Sequence, residues 1–314
     1  MARKLRMEYA GAIYHVINRG NYRRNVFESV GAAQSFEEAL EEAVGRQGWR
    51  LQAYVLMRNH FHLVLETPES NLTTGMHWLM STVATRFNRF REERGHLFQG
   101  RYQALPIEDN QAMARVIDYV HLNPVRAGVI PVEQLAAFRW SSLRRFMRGP
   151  RFGGLDPLGV LEGRGWGDTP EGWAGYVAYL TGLAADQEEQ KKLGHEGFSS
   201  GWAIGSEAWR RTLAKQHAQL ALTPGLGAAE AGALREERWR QVLDQKLKES
   251  GHTQAEALAA PKTKSWKLEL ARAVRAESGA SITWLVRELG LGTEGTARSL
   301  MSKLKQSKIQ QYSA

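Results

Sequence analysis

The chain has no cysteine among its 314 residues. That absence excludes disulfide frameworks, thiolate zinc sites and cysteine nucleophiles, so any metal must be held by imidazole, carboxylate or amide oxygen. Long apolar runs are also missing. The richest stretch, around Leu63-Val64-Leu65, falls far short of the ~18 residues that span a bilayer. The basic start Ala2-Arg3-Lys4-Leu5-Arg6 is followed by no apolar signal core, which leads us to expect a cytoplasmic protein that does not enter a membrane. No Walker-type loop and no internal repeat is visible.

Positive charge is present in excess: 42 Lys and Arg stand against 33 Asp and Glu, a net +9. The excess is uneven. Residues 1–151 carry 21 basic against 14 acidic side chains, 152–260 carry 11 against 15, and 261–314 carry 10 against 4. Arginines cluster at Arg19–Arg24, Arg86–Arg101 and Arg139–Arg151, with Tyr22, Phe87, Phe90, Phe98, Tyr102, Trp140 and Phe146 interleaved. Guanidinium groups for phosphates and aromatic faces for bases are the combination that single-stranded nucleic acid rewards.

Hydrophobic periodicity organises the first 150 residues into alternating strands and helices. Ala12–Asn18 reads as a strand, Phe36, Leu40, Ala43 and Val44 as a helix ending near Gly48, and Trp49–Met57 with His60–Glu66 as a hairpin turning at Arg58-Asn59. Leu72 to Phe90 forms an amphipathic helix expected to be capped by Ser70 or Asn71 and stopped at Gly95. Leu97–Ile107 reads as the next strand, and Asp109 or Asn110 caps a helix with Met113, Val116, Ile117 and Val120 as its buried stripe. The order implies an α+β fold, an antiparallel sheet with packed helices. Gly-rich segments after Arg151 suggest a joint, and mostly helical patterns follow.

The last 50 residues pattern as short helices with Gly290-Leu291-Gly292 as a tight turn and Thr293 as a cap. This fits a helix-turn-helix-like unit carrying Arg298 and Lys303 on its third helix, and it equally fits a plain helical bundle. Three regions are therefore expected: a catalytic domain over 1–150, a helical extension over 151–260 and a DNA-binding unit over 261–314.

Within this frame two constellations carry chemistry. His60 and His62 are two residues apart on a strand, so both imidazoles point to one face, a geometry suited to one metal ion. Tyr119 and Asn123 lie one helical turn apart beside the buried stripe, where a phenol and an amide can meet the same site. Pro124 is expected to disturb helical geometry at Asn123.

These residues sit within five ordered motifs: Tyr14-His15-Val16 with Asn18-Arg19-Gly20, Ala53 through Leu63, Leu97-Phe98-Gln99-Gly100-Arg101-Tyr102, Tyr119–Gly128, and Trp140-Ser141-Ser142. Together they resemble the REP-associated tyrosine transposases, single-tyrosine members of the HUH transposase group. Gly201–Glu207 also looks like a downstream element of some members. The resemblance implies a ferredoxin-like sheet, Mg2+ or Mn2+ held by His60 and His62 with Asn123 where relatives place a third polar ligand, and Tyr119 as nucleophile. It implies nicking and rejoining of single-stranded or hairpin DNA through a 5′-phosphotyrosine. DNA contacts are then expected from Arg19, Arg23, Arg24, Arg101, Tyr102, Arg126, Arg144 and Arg145, besides Arg298 and Lys303. Monomer and homodimer both fit that chemistry. Competing readings are a replication initiator or relaxase, a DNA-binding regulator that has lost catalysis, and a metal-dependent hydrolase using water.

Overall fold

The computed structural model describes residues 7–161, 164–216 and 228–301. Strand β1 (Ala12–Arg19) leads into helix α1 (Val30–Gln47), the hairpin β2 (Arg50–Met57) and β3 (His60–Thr67), helix α2 (Leu72–Arg91) and strand β4 (Gln103–Ile107). The strands form one antiparallel sheet in the order β2-β3-β1-β4. This βαββαβ arrangement is the expected ferredoxin-like sheet. Helix α3 (Asn110–Arg126) follows, then α4 (Ser142–Arg148), the short α5 (Leu158–Leu161), α6 (Pro170–Ala185), α7 (Gln187–Lys192) and α8 (Glu207–Gln216).

Register decides which side chains share a face. Ile17 lies opposite His62, Arg19 opposite His60 and His15 opposite Val64, so these six share one face. The alternate residues Tyr14, Val16, Phe61 and Leu63, all fully buried, point the other way toward α1, where Phe61 meets Phe36 at a ring separation of 4.8 Å. Helix α3 packs on the histidine face, against β2 and β3.

Several boundaries differ from the sequence expectation for local reasons. Helix α2 ends at Arg91, four residues before Gly95, because Glu92 takes the left-handed conformation at φ 53. Asn71 precedes α2 without capping it through its side chain, which instead accepts from Trp49 Nε1 at 2.7 Å and donates to Gln47 O at 2.8 Å. Strand β4 begins only at Gln103, since residues 97–99 turn aside to pair with the end of β1: Asn21 N donates to Leu97 O and Gln99 N to Arg19 O. Pro124 does not break α3, which runs on to Arg126 with Ala127 N donating to Asn123 O at 2.9 Å.

The chain divides into two compact units at Arg210/Arg211. Residues 151–210, expected as part of a separate extension, belong to the first unit because Phe152, Leu155, Val160, Trp173, Tyr176 and Leu180 bury into the same core as the sheet. A polar network ties them to α3. Asp118 accepts from Tyr176 Oη at 3.0 Å, from Tyr179 Oη at 3.1 Å and from Arg164, while His121 bonds Tyr176 Oη and Ser142 Oγ at 2.9 and 2.8 Å.

The second unit contains α9 (Ala228–Ser250), α10 (Gln254–Ala259), α11 (Ser265–Ser278) and α12 (Ile282–Leu289) around Leu243, Leu268, Val274, Trp284, Leu285 and Leu289. Gly290 closes α12 in the left-handed region at φ 59, and Thr293 Oγ1 accepts from Thr296 N at 3.2 Å, capping a further helical segment that begins at Glu294. No described helix is long and apolar enough to cross a membrane.

Candidate functional site

The two strand histidines and the helical tyrosine converge. His60 and His62 lie with ring centroids 5.1 Å apart, and the Tyr119 ring stands edge-on 5.8 Å from His62. Hydrogen bonds fix the tautomer of each histidine. His15 Nδ1 meets the carbonyl of Phe198 at 2.8 Å, and a carbonyl only accepts, so Nδ1 carries the proton and Nε2 a lone pair. That Nε2 lies 2.9 Å from His62 Nδ1. His62 Nδ1 must therefore donate, which leaves His62 Nε2 unprotonated. Asn59 does the same for His60: its Nδ2 donates to Arg23 O at 3.3 Å, which turns Oδ1 toward His60 Nδ1 at 2.8 Å. Both imidazoles thus present a bare Nε2, the form in which histidine ligates a metal.

Electrostatics keep them so. Burial, aided by Arg19, pushes His60 down to about 4. His62 is held well below its ordinary value by burial and by His15, His60, Arg19 and Arg126, and burial also pushes His15 down to about 4. All three are neutral at physiological pH.

Asn123 shares the helix face of Tyr119 one turn on, and its buried Nδ2 has no hydrogen-bond partner among the described residues. Such a donor suits a phosphate oxygen, while its carbonyl oxygen can complete a ligand set. Among the described residues no cluster of three His, Asp or Glu side chains forms a metal cage. The donor set at hand, two neutral imidazoles with an amide nearby, fits a divalent ion that keeps positions for water and phosphate.

Tyr119 itself is buried, with 8% of its surface exposed. The Arg126 guanidinium sits 4.7 Å from its ring centroid. A segment from the downstream region closes over the other side: the 3-10 turn His195–Gly197 and Phe198 place both rings 5.8 Å from Tyr119, and Ser199 Oγ hydrogen-bonds the Tyr119 hydroxyl. The segment is fastened beyond the site, where Ile204 exchanges backbone hydrogen bonds with Pro106 and Glu108 beside β4, and Glu108 accepts from Ser206 Oγ at 2.8 Å. His195 is fully buried, pushed down to about 4 by burial and then Arg126, and neither ring nitrogen has a hydrogen-bond partner among the described residues.

The expected DNA contacts separate into groups. Arg19, Arg23 and Arg24 lie on the turn beside His60, though Arg24 is engaged by Glu93 at 2.6 Å. Arg101 is exposed on the segment that pairs with that turn, whereas Tyr102 is buried and cannot offer a stacking face. Arg145 is spent on Glu37 at 3.0 Å and on Tyr54 Oη at 2.9 Å, whereas Arg144 lines a cleft where Arg139 and Arg148 face Glu37, Glu38 and Glu41. Arg145 is a correction, since sequence alone did not pair α4 with Glu37 of α1. Arg298 lies in the second unit, bonded to Glu294 at 3.3 Å, and Lys303 lies outside the described residues. His15, Asn59, His195, Phe198 and Ser199 were given no role by the sequence. His15 and Asn59 stood inside recognised motifs, but the partners at 195–199 are some 80 residues from Tyr119 and carry no local signal.

Residues 8–123 match the family model for IS200-like transposases. Among solved structures, the chain is 19% identical to a REP-associated tyrosine transposase bound to a REP hairpin, with a TM-score of 0.39 over 50% of this chain and 90% of that one. It is 22% identical to a candidate transposase from Deinococcus radiodurans R1, with a TM-score of 0.28 over 38% of this chain and 95% of that one. No curated protein matches it.

Proposed function

We propose, from the match of residues 8–123 to the IS200-like transposase family model, that this chain nicks and rejoins single-stranded DNA, with Tyr119 as nucleophile and a divalent ion, Mg2+ or Mn2+, on His60 and His62. The observation that carries this reading is the pair of bare Nε2 atoms on His60 and His62, fixed by Asn59 and His15, beside the Tyr119 ring. The ion would polarise a non-bridging oxygen of the scissile phosphate and stabilise the leaving 3′ oxygen.

This chain's residues supply the rest. Arg126, stacked on Tyr119, and the unpaired Asn123 amide bind the phosphate and orient it for attack. The phenol loses its proton as its oxygen bonds phosphorus, the P–O3′ bond breaks, and the 3′ oxygen takes up a proton, so the step is balanced. The product is a 5′-phosphotyrosine with a free 3′-hydroxyl. Because that linkage conserves the phosphodiester's energy, another 3′-hydroxyl reverses the step without ATP. Before attack, Ser199 must release the Tyr119 hydroxyl.

The DNA is single-stranded, and by family resemblance a palindromic hairpin, with the second unit as an accessory DNA-binding element. Incubating 3′-end-labelled hairpin DNA with the protein and Mg2+ or Mn2+, then resolving it on a denaturing protein gel, tests the reading. A labelled covalent adduct that disappears in Tyr119→Phe is expected. Free nicked DNA without adduct would favour the hydrolase that uses water, and binding without cleavage would favour the regulator.

A further inference from the structure

The most exposed aromatic among the described residues of the first unit stands apart from the packed core. Tyr22 is 93% exposed, at the apex of a 3-10 turn over Asn21–Arg23. Its backbone is left-handed at φ 51 and ψ 30, and Arg23 follows at φ 58. Two consecutive L-residues in this region are disfavoured, and neither is the glycine or asparagine that adopts it easily. Strain that persists needs surroundings that enforce it.

The surroundings here do so from several sides. Gly20 N donates to Asn59 O at 2.7 Å, Asn21 N to Leu97 O at 2.9 Å and Gln99 N to Arg19 O at 2.8 Å; within the turn, Arg23 N donates to Gly20 O and Arg24 N to Asn21 O. Gly20 is packed so closely that a Cβ would stand 2.4 Å from Arg24 O and 2.7 Å from Val26 Cγ2. The turn is thus a rigid mount that holds an aromatic ring out in water.

Its position gives the mount a purpose. Arg19 lies directly across the ladder from His60, and Asn59 joins the turn to the same histidine by accepting from His60 Nδ1 and donating to Arg23 O. Arg19 and Arg23 are exposed and make no ion pair among the described residues. An exposed ring flanked along the chain by two exposed guanidinium groups, on a turn that Asn59 ties to a metal-competent histidine, suits the alternation of base and phosphate along one DNA strand.

We propose that Tyr22 is a stacking platform for an unpaired nucleobase of the strand entering the catalytic centre, with Arg19 and Arg23 holding the adjoining phosphates. The proposal rests on the single-strand reading above and adds the site at which a base is gripped. A base still paired in a duplex offers no free face there, so the platform selects unpaired strand next to the scissile phosphate.

The test uses full-length protein carrying Tyr119→Phe, without metal, and a hairpin oligonucleotide whose single-stranded flank carries 2-aminopurine at successive positions. One position should change fluorescence strongly on binding, and Tyr22→Ala should abolish that change and weaken binding about tenfold, the effect of one stacked base. Tyr22→Trp should restore both. Tyr22→Gly, which relieves the backbone, should raise the thermal midpoint and yet bind as poorly as Tyr22→Ala, separating the lost ring from misfolding. Equal affinity and fluorescence for Tyr22→Ala and its parent would overturn the platform alone. If the Tyr119→Phe parent failed to bind the oligonucleotide at all, the single-strand reading would fall and the platform with it.

Discussion

His15 Nε2 accepts a hydrogen bond from His62 Nδ1 at 2.9 Å, and the proton placement is dictated by the Phe198 carbonyl on the far side of the His15 ring. A backbone oxygen 183 residues away in sequence from His15 thus decides which nitrogen of His62 can meet a metal.

Removing the relay should loosen the metal without removing a ligand. His15→Phe keeps the buried volume but deletes the acceptor, so His62 samples both tautomers and its ring loses one restraint. Mn2+ affinity, read by calorimetry, should fall roughly ten- to a hundredfold, as for other outer-shell partners of metal-bound histidines. In the metal-free protein, 15N NMR should show His62 Nδ1 protonated in the wild type and a tautomer mixture in the variant. Unchanged affinity together with an unchanged tautomer would refute the relay.

Tyr119 and Ser199 make opposite predictions. Tyr119→Phe should abolish the covalent adduct while leaving DNA affinity within about twofold, since it removes only the hydroxyl that the bond to Ser199 now occupies. Ser199→Ala frees that hydroxyl. A net hydrogen bond of about 0.5–1.5 kcal/mol corresponds to roughly two- to tenfold faster adduct formation. A slower Ser199→Ala enzyme would mean that the serine assists the attack and does not merely occupy the nucleophile.

Much of this arrangement was legible in the sequence, and its limits are physical. Strand alternation put His60 and His62 on one face, and helical spacing put Tyr119 beside Asn123; both depend on local geometry alone. The alternation of short elements implied an antiparallel sheet with packed helices, and the family resemblance alone implied its ferredoxin-like order. Pro124 misled because a proline so near the end of α3 removes only one late backbone bond, and the following residues still close the turn on Asn123 O. Arg145 misled because a basic residue in sequence does not reveal an acidic neighbour from another helix. The cover formed by His195, Phe198 and Ser199 depends on long-range closure, for which periodicity carries no information.

Acid should destabilise the metal-free fold. His15, His60 and His195 titrate near 4 and His121 near 3 when folded, each lowered chiefly by burial, against about 6.5 when unfolded. Between those values the unfolded chain binds more protons, so the stability these groups contribute is complete above about 6.5 and is lost as pH falls toward 4. For fully buried His15 the effect is on the order of 3 kcal/mol. Asp118 acts in the opposite sense. Burial, opposed by Arg164, Tyr176 and Tyr179, raises it to about 6, so its contribution is present below about 4 and declines as pH rises through 6. Four histidines outweigh one aspartate, and the urea midpoint should drop between pH 7.5 and pH 5. A flat or rising midpoint over that interval would show that the histidines are not held neutral by the fold.

Where the catalytic unit ends can be decided by truncation. A chain ending at residue 150, the boundary that composition suggests, would strip Phe152, Leu155, Val160, Trp173, Tyr176 and Leu180 from the core. At about 1.5–3 kcal/mol for each large apolar side chain, their combined loss is as large as the ~5–15 kcal/mol by which domains are typically stable. It would also leave Asp118 buried without Arg164, Tyr176 and Tyr179, and His15 without the Phe198 carbonyl. A chain ending at residue 216 keeps all of these and every residue placed at the catalytic centre. It should melt cooperatively and form the Tyr119 adduct on hairpin DNA at a rate within severalfold of the full chain, while the 150-residue chain should be unfolded by circular dichroism. Loss of the second unit should show as weaker DNA binding, with a smaller dependence on salt because fewer phosphates are neutralised. If the 216-residue chain folded but formed no adduct at any DNA concentration, the second unit would have to supply part of the catalytic centre.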